Sequence, residues 1–387
     1  MGWLDEARLD DVEALAALDS RDTLRSLAQA GAQVRRSLVS AEEAGIARVA
    51  GGERPRSVLV AALGGSAVVG EVLDCLADPG SPVPVMVRGD GPLPGWVGPL
   101  DLVVAVSQSG RARGPLALAA EAGRRGASLL TVGAAGSPLA DVTARARGVH
   151  VDVALPAPSS RTALWSLLAP VLVAADRLGL TDAPEDALQR VARVLDEVAE
   201  ECRPSSDAFV NPAKVLATSL DGTVPVVLGD GALTGVAASR AAQMLSRTAR
   251  VPATHGRLPD AASAAVATLD GPFAAGLGAR DGEGAGGGRD IFADPYLDGP
   301  ALPRLGLLVL RDPMPSAGAA GLADAVAASA EDAGAVVLQQ EARAGHPLER
   351  LASLVALTDF AATYLALGLG FDPSVSRHVT DLRDRTS

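Results

Sequence analysis

Two short glycine/serine runs carry the clearest chemical signal in this chain. Gly64-Gly65-Ser66 follows the apolar run 57–63, and Ser107-Gln108-Ser109-Gly110 follows the apolar run 101–106. An Ala/Leu-rich stretch of helical length comes after each of them. When a strand turns into a helix through such a run, the first helical amides are left unpaired. They sit at the positive end of the helix dipole, where an anion is favoured. Serine adds a hydroxyl donor with little bulk, and glycine lets a ligand approach the backbone closely. Gly64, Gly65, Ser66, Ser107, Ser109 and Gly110 are therefore expected to line one phosphate cup. A blander reading stands beside this one, in which the serines only cap their helices. GGSAVVG also loosely resembles a dinucleotide fingerprint, with Asp90 twenty residues beyond Gly70. Against that, the GxGxxG spacing is missing and the second strand ends in Arg88 instead of an acid.

The elements that must hold these loops can be read from the same rows. SVLVAAL (57–63), VPVMVR (83–88), DLVVAV (101–106), SLLTV (128–132) and VHVDV (149–153) are mostly continuous apolar runs of strand length. Such runs belong to parallel sheets covered on both faces. Helical stretches such as 66–77 and 114–125 separate them. This βαβ alternation predicts a doubly wound α/β domain, with ligands at the carboxyl edge of its sheet. Residues 5–50 read as helices, with a capping break at Asp19-Ser20-Arg21-Asp22. After a helical stretch over 161–200 the pattern restarts, with VPVVLG (224–229) leading into a helix at 232–246. RVPATH, AAVATL, LGLLVL (305–310) and GAVVL (334–338) are further strand candidates. Both halves open as strand, glycine-rich turn, small residue and helix, which predicts two copies of one α/β unit. The expected organisation is a helical segment over 1–52, a first domain over 53–200 and a second over 201–387. Residues 271–288 hold eight glycines in eighteen positions, so 271–290 reads as a surface loop inside the second domain. An apolar helix over 347–369, a break at GFDPS and a charged helix over 375–384 close the chain.

Composition narrows the partners. The 387 residues carry 34 Lys+Arg against 46 Asp+Glu, a formal charge of −12, so the clustered basic surface that nucleic acid demands is not expected. The acidic start MGWLDEARLDD does not look like a secretory signal. The longest mostly apolar run, 164–175, is too short to span a bilayer. Cys75 and Cys202 form no CxxC pair, and the four histidines show no HxxxH spacing. A soluble, cytoplasmic protein with no metal, no nucleic-acid partner and no membrane partner is expected. All but one of the 34 basic residues are arginine; the exception, Lys214, lies three positions after the lone asparagine, Asn211. Asn211-Pro212-Ala213-Lys214 reads as a helix start, with Asn at the N-cap and Pro at the first helical position.

AALGGSAVVG (61–70), VVAVSQSG (103–110) and the spacing between them resemble the sugar isomerase (SIS) domain, whose SxSGxTxE loop binds sugar phosphates. LPAPSSRTALWSL (155–167) resembles the LPxGxxPRxAL segment of the bifunctional phosphoglucose/phosphomannose isomerases, one residue shorter. NPAKVLATSLDGTVPVVLG (211–229) is similar to that family's NPAKxLAxxLxGxIPVIYG segment, and 346–383 is similar to its C-terminus. The resemblance implies two tandem SIS subdomains, each a flavodoxin-like parallel sheet, with helical N- and C-terminal segments. It also implies a homodimer with active sites near the subunit interface, a small sugar phosphate as ligand, and neither metal nor cofactor. The implied activity interconverts glucose-6-phosphate or mannose-6-phosphate with fructose-6-phosphate.

The resemblance fails where that chemistry is done. Aldose–ketose isomerisation needs a carboxylate base between C1 and C2, an acid/base for ring opening and a cation near the enediolate. On the shared residues, Ser246 stands where the family has the Glu of QxNENxK, and Ser263 where it has a His. Arg161 of the PRxAL segment is kept. Serine is no general base without a partner to take its proton, and losing such a group typically costs ~10²–10⁴-fold in rate. The phosphate loop has changed as well: Ala112 lacks the usual hydroxyl, while Arg111 and Arg113 have appeared. A guanidinium makes charge-assisted, bidentate contacts to phosphate, so either arginine could replace the missing threonine; the alternative is that both are solvated surface residues. His255 and His346 are the candidate replacements for the acid/base. Two functions follow: an isomerase with a rearranged site, or a non-catalytic sensor of sugar phosphates.

Overall fold

A computed structural model of the chain describes residues 3–77, 80–153, 157–273, 303–315 and 318–386. Most of the glycine-rich stretch at 271–290 lies outside the described residues. By packing, the chain divides into two compact units. One comprises Asp19–Arg203 and Ala344–Ala356; the other comprises Met1–Leu18, Pro204–Arg343 and Leu357–Ser387.

The first unit is built on a five-stranded, wholly parallel sheet. Its strands are β1 (Val58–Ala62), β2 (Val85–Arg88), β3 (Leu102–Ser107), β4 (Ser128–Gly133) and β5 (Val149–Asp152), in the spatial order β2-β1-β3-β4-β5. That is the doubly wound, flavodoxin-like order the sequence predicts. Every residue of β1 and β3 is buried, as two-sided coverage requires. On one face Leu59, Ala61, Val103 and Ala105 pack with Leu118, Ala119 and Ala122 of the helix Arg113–Arg124. The register Val58↔Leu102 to Ala62↔Val106 brings the ends of β1 and β3 level. At the amino edge the buried Asp101 carboxylate pins the two strands, accepting from Arg56 Nη2 (2.8 Å), Ser57 Oγ (2.7 Å) and the Gly98 amide (2.9 Å).

The second unit repeats this plan with four parallel strands, β6 (Thr223–Gly229), β7 (Thr254–Arg257), β8 (Arg304–Arg311) and β9 (Val336–Glu341), in the order β7-β6-β8-β9. Leu228, Leu307 and Val309 meet Ala323, Val326 and Ala330 of the helix Ala319–Asp332 in its core. One expected strand is not a strand. AAVATL lies in the helix Ala262–Ala267 and the turn Thr268–Asp270, because its alanines favour helix more than the lone valine favours sheet. The stretch expected as one helical run over 161–200 is two helices, Leu164–Arg177 and Glu185–Glu201. Gly179, with a φ of 67°, ends the first, and Pro184 stands at the N-cap of the second.

The helix Pro347–Gly368 has the length and hydropathy of a membrane span (22 residues, mean hydropathy 1.5), but 94% of that window is buried inside the protein. It is a core helix by that measure. As the sequence predicts, Asn211 caps the helix Pro212–Leu220 through its side chain, with Pro212 at the first position. Lys214, one turn in, is fully buried.

Candidate phosphate-binding site

The two glycine/serine loops leave β1 and β3 side by side, because those strands are parallel neighbours with Ala62 opposite Val106. Gly64–Ser66 forms a single tight turn before the helix Val68–Ala77. Gly64 has a φ of 63°, and the space where a side chain would sit is open. Ser66 is buried, and its hydroxyl has no partner among the described residues. Gly65 faces a third segment: a Cβ there would lie 2.8 Å from Ser160 Oγ and 3.3 Å from Arg161 Cγ. The first loop therefore rests on the residue pair that carries the retained arginine.

The second loop is held from within. Ser107 is buried and its Oγ accepts from the Ala112 amide (3.3 Å), while exposed Ser109 accepts from the Arg111 amide (3.3 Å). Both bonds lie within the loop, ahead of the helix Arg113–Arg124, which has no side-chain cap, and of the two serines only Ser109 is exposed. Gly110 has a φ of 63°, and a Cβ on it would fall 2.0 Å from Ser137 Oγ. Only glycine fits. Gln108 Nε2 donates to the Ala157 carbonyl at 2.8 Å, joining this loop to the segment that leads to Arg161. Two helix starts and one arginine-bearing segment so converge on one edge of one sheet, a geometry suited to an oxyanion.

Arg88, Arg111 and Arg113 are exposed and Arg161 is partly buried. Further along the sheet, between the helix Pro138–Arg145 and the strands β4 and β5, lies a chain of polar groups. Thr143 Oγ1 donates to the Leu139 carbonyl (2.7 Å) and lies 2.6 Å from Thr131 Oγ1, which is 2.7 Å from His150 Nδ1. His150 Nε2 faces Asp152 Oδ1 at 3.2 Å. Burial pushes the His150 imidazole below its ordinary value, against the opposing pull of Asp152. At the other edge, burial works to raise the Asp101 carboxyl, but the hydrogen bonds from Arg56, Ser57 and Gly98 outweigh it and hold the group below the usual carboxylate range.

The remaining candidates sit elsewhere. His346 belongs to the first unit, where its carbonyl accepts from the Glu349 and Arg350 amides at the start of the helix Pro347–Gly368. Its Nδ1 accepts from the Leu348 amide (3.3 Å), and Nε2 lies 3.9 Å from Asp182 Oδ2. Those contacts make it a helix cap. His255 lies on the edge strand β7 of the second unit, with its side chain exposed. Ser246 is exposed in a wide π-type turn, Leu245–Ala249, and Ser263 is exposed on the helix Ala262–Ala267. Asp260 pairs with Arg257 at 2.9 Å. Among the described residues no group of three His, Cys, Asp or Glu could hold a metal ion. Gln108, Ser137 and Ser160 were not singled out from sequence. Ser137 before Pro138 did carry a helix-start signature, whereas nothing local marks Gln108 or Ser160.

Residues 209–386 match the bacterial phospho-glucose isomerase C-terminal SIS domain. Over 196 residues, 51% of this chain, it is 29% identical to a bifunctional phosphoglucose/phosphomannose isomerase of Caldicellulosiruptor bescii. The matched stretch spans 57% of that relative's length. Among solved structures, a protein of Thermus thermophilus is similar across 100% of this chain and 99% of its own, with a TM-score of 0.67 at 13% identity. The tagatose-6-phosphate ketose/aldose isomerase of Escherichia coli is similar over 91% of this chain and 94% of its own, with a TM-score of 0.59 and 13% identity. The C-terminal domain of the glucosamine-fructose-6-phosphate aminotransferase of Francisella tularensis follows at a TM-score of 0.58 and 11% identity, over 91% and 97% of the two chains. At these identities the structural likenesses speak for the fold. The C-terminal half of the chain, residues 209–386, is thus similar to an SIS domain of bacterial phospho-glucose isomerases, and the two parallel sheets share their fold with the solved phosphosugar-isomerase structures.

Proposed function

We propose that the protein binds a hexose phosphate of the glucose-6-phosphate, mannose-6-phosphate or fructose-6-phosphate type, with the phosphate on Gly64–Ser66 and Ser107–Gly110. The observation that carries this reading is the convergence of those two loops with the Ser160-Arg161 pair. The substrate class comes from what the matched domain and the curated relative are said to act on. In this reading the amides of the two loops take the phosphate oxygens, and Arg111 or Arg113 takes the place of the hydroxyl that Ala112 lacks. Arg161 lies toward the sugar, where a guanidinium stabilises a developing enediolate oxygen. As an isomerase the protein needs an acid/base, a role for which His255 and His346 are the candidates of the sequence. It works in the cytoplasm as a homodimer with its sites near the subunit interface.

A second reading is favoured by Ser246 and Ser263. Both proton-transfer positions of the resembled family hold hydroxyls here, which leaves a sensor that binds sugar phosphate without turning it over. One experiment separates the two. Purified protein is incubated with fructose-6-phosphate and assayed for aldose product, alongside thermal-shift titrations with hexose phosphates. Turnover at ~1–10³ s⁻¹ supports the isomerase, and stabilisation without turnover supports the sensor. If neither appears, the protein is not a hexose-phosphate binder. Arg111→Ala or Arg113→Ala is expected to weaken binding about tenfold, the worth of one charge-assisted hydrogen bond. Double substitution of His255 and His346 by alanine is expected to abolish any turnover that is found.

A further inference from the structure

The second sheet repeats the strand order of the first, so β6 and β8 stand in it where β1 and β3 stand in the first. The equivalent loops leave β6 through Gly229-Asp230-Gly231 and β8 through Arg311-Asp312. Their contents differ sharply from the first pair. Asp230 is 1% exposed, and its carboxylate gathers the donors that such loops offer a ligand. The Asp312 amide donates to both of its oxygens, at 3.1 and 3.0 Å. Thr234 Oγ1 donates to Oδ1 at 2.9 Å while accepting from the Gly231 amide at 2.9 Å. Arg311 Nε lies 3.5 Å from Oδ2, bringing a guanidinium. The Asp312 amide at the end of β8, a hydroxyl on the first turn of the helix Ala232–Met244 and an arginine thus surround one buried anion. The first unit shows the opposite: open space beside Gly64 and an exposed Ser109.

We propose that Asp230 is a built-in anion, occupying in the second unit the position that a phosphate takes in the first, so that each chain binds one sugar phosphate and not two. The comparison rests on the phosphate cup assigned above, although the closure of the second unit stands on its own contacts. An isolated carboxylate at this depth would be costly to bury; the Asp312 amide, the Thr234 hydroxyl and Arg311 offset that cost and are thereby taken from an incoming phosphate.

The test is isothermal titration of the whole chain with inorganic phosphate, comparing the natural protein with Asp230→Ser and Asp230→Gly. The natural protein is expected to bind one phosphate per chain and either variant one more. Two phosphates per chain in the natural protein would overturn the proposal, as would an unchanged stoichiometry in a variant whose circular dichroism is native. If the natural protein binds none and a variant binds one, the reading of the first cup fails and this proposal stands. Where a variant is too unstable to titrate, its melting temperature is measured with and without phosphate. A rise larger than that of the natural protein marks an anion refilling the emptied position, and an equal or smaller rise overturns the proposal.

Discussion

Gln108 Nε2 and the carbonyl of Ala157 lie 2.8 Å apart, in a hydrogen bond that ties the second glycine/serine loop to the segment carrying Ser160 and Arg161. The first loop reaches the same segment through Gly65, whose α-carbon leaves no room for a methyl beside Ser160. Neither loop is therefore positioned by its strand alone. Gln108→Ala removes one partly buried hydrogen bond, worth about 1 kcal/mol. Because the bond orients the cup and is not part of the core, the loss is expected mainly in binding. Affinity for fructose-6-phosphate should fall about fivefold by titration calorimetry, with the melting temperature nearly unchanged. An unaltered dissociation constant would show that the segment is placed without Gln108.

The two positive-φ glycines of the site should respond differently to alanine. At Gly110 a methyl would collide with Ser137 Oγ, 2.0 Å away, on top of the left-handed backbone, so Gly110→Ala must shift the loop or the capping serine. A loss of about 2–4 kcal/mol in unfolding free energy is expected, together with loss of phosphate binding. At Gly64 there is open space, so Gly64→Ala meets only the backbone preference, about 1 kcal/mol. Denaturant unfolding of the two variants side by side checks the ordering. Equal losses would mean that the contact with Ser137 is relieved cheaply.

Much of this was legible in the sequence because it depends on local pattern. The continuous apolar runs at β1 and β3 announce a sheet covered on both faces, and the glycine/serine runs after them announce helix starts. What escaped depends on contacts between segments distant in the chain. Ala157 lies 49 residues from Gln108, and no periodicity links them. AAVATL misled because alanine is neutral in hydrophobic patterning yet strongly helical. His346 could be placed near a resembled motif, but its service as a helix cap is written only in three dimensions, through the amides of Leu348, Glu349 and Arg350.

The lone lysine and lone asparagine, expected to mark a helix start, turn out to do two jobs. Asn211 Oδ1 accepts from the amides of Ala213 (3.0 Å) and Lys214 (3.1 Å), while Lys214 Nζ donates to the carbonyls of Pro204 (2.8 Å) and Ser206 (2.7 Å). The ammonium also sits 5.5 Å from the Tyr364 ring centroid. Lys214→Met fills similar volume but strips two carbonyls of their donor, and a loss of about 2–4 kcal/mol is expected. Asn211→Ala should cost about 1–2 kcal/mol through the cap alone. Chemical denaturation of both variants decides the point; a neutral Lys214→Met would mean that water satisfies the carbonyls.

The polar chain between the helix Pro138–Arg145 and the strands β4 and β5 sets a pH dependence whose sign can be worked out. Thr143 spends its one hydroxyl proton on the Leu139 carbonyl, so in its contact with Thr131 it must accept. Thr131 then donates to Thr143 and accepts from His150, which places the proton of the neutral imidazole on Nδ1. The neutral ring therefore turns a bare Nε2 toward Asp152, and a second proton there has to be carried in a site where burial lowers the imidazole below its ordinary value. The unfolded chain, with its histidine near 6.5, binds that proton first. Stability from this group is consequently present above about pH 6.5 and declines as the pH falls below it, until the folded imidazole itself is protonated. Carboxylates titrate mostly below pH 5, so the interval from about pH 7.5 to 5.5 isolates the effect. Denaturant midpoints are expected to drop across that interval in the natural protein and to stay level in His150→Gln, which cannot take the proton. A natural protein that gains stability on acidification would show that Asp152 outweighs burial, and that the folded state binds the proton more tightly than the unfolded one.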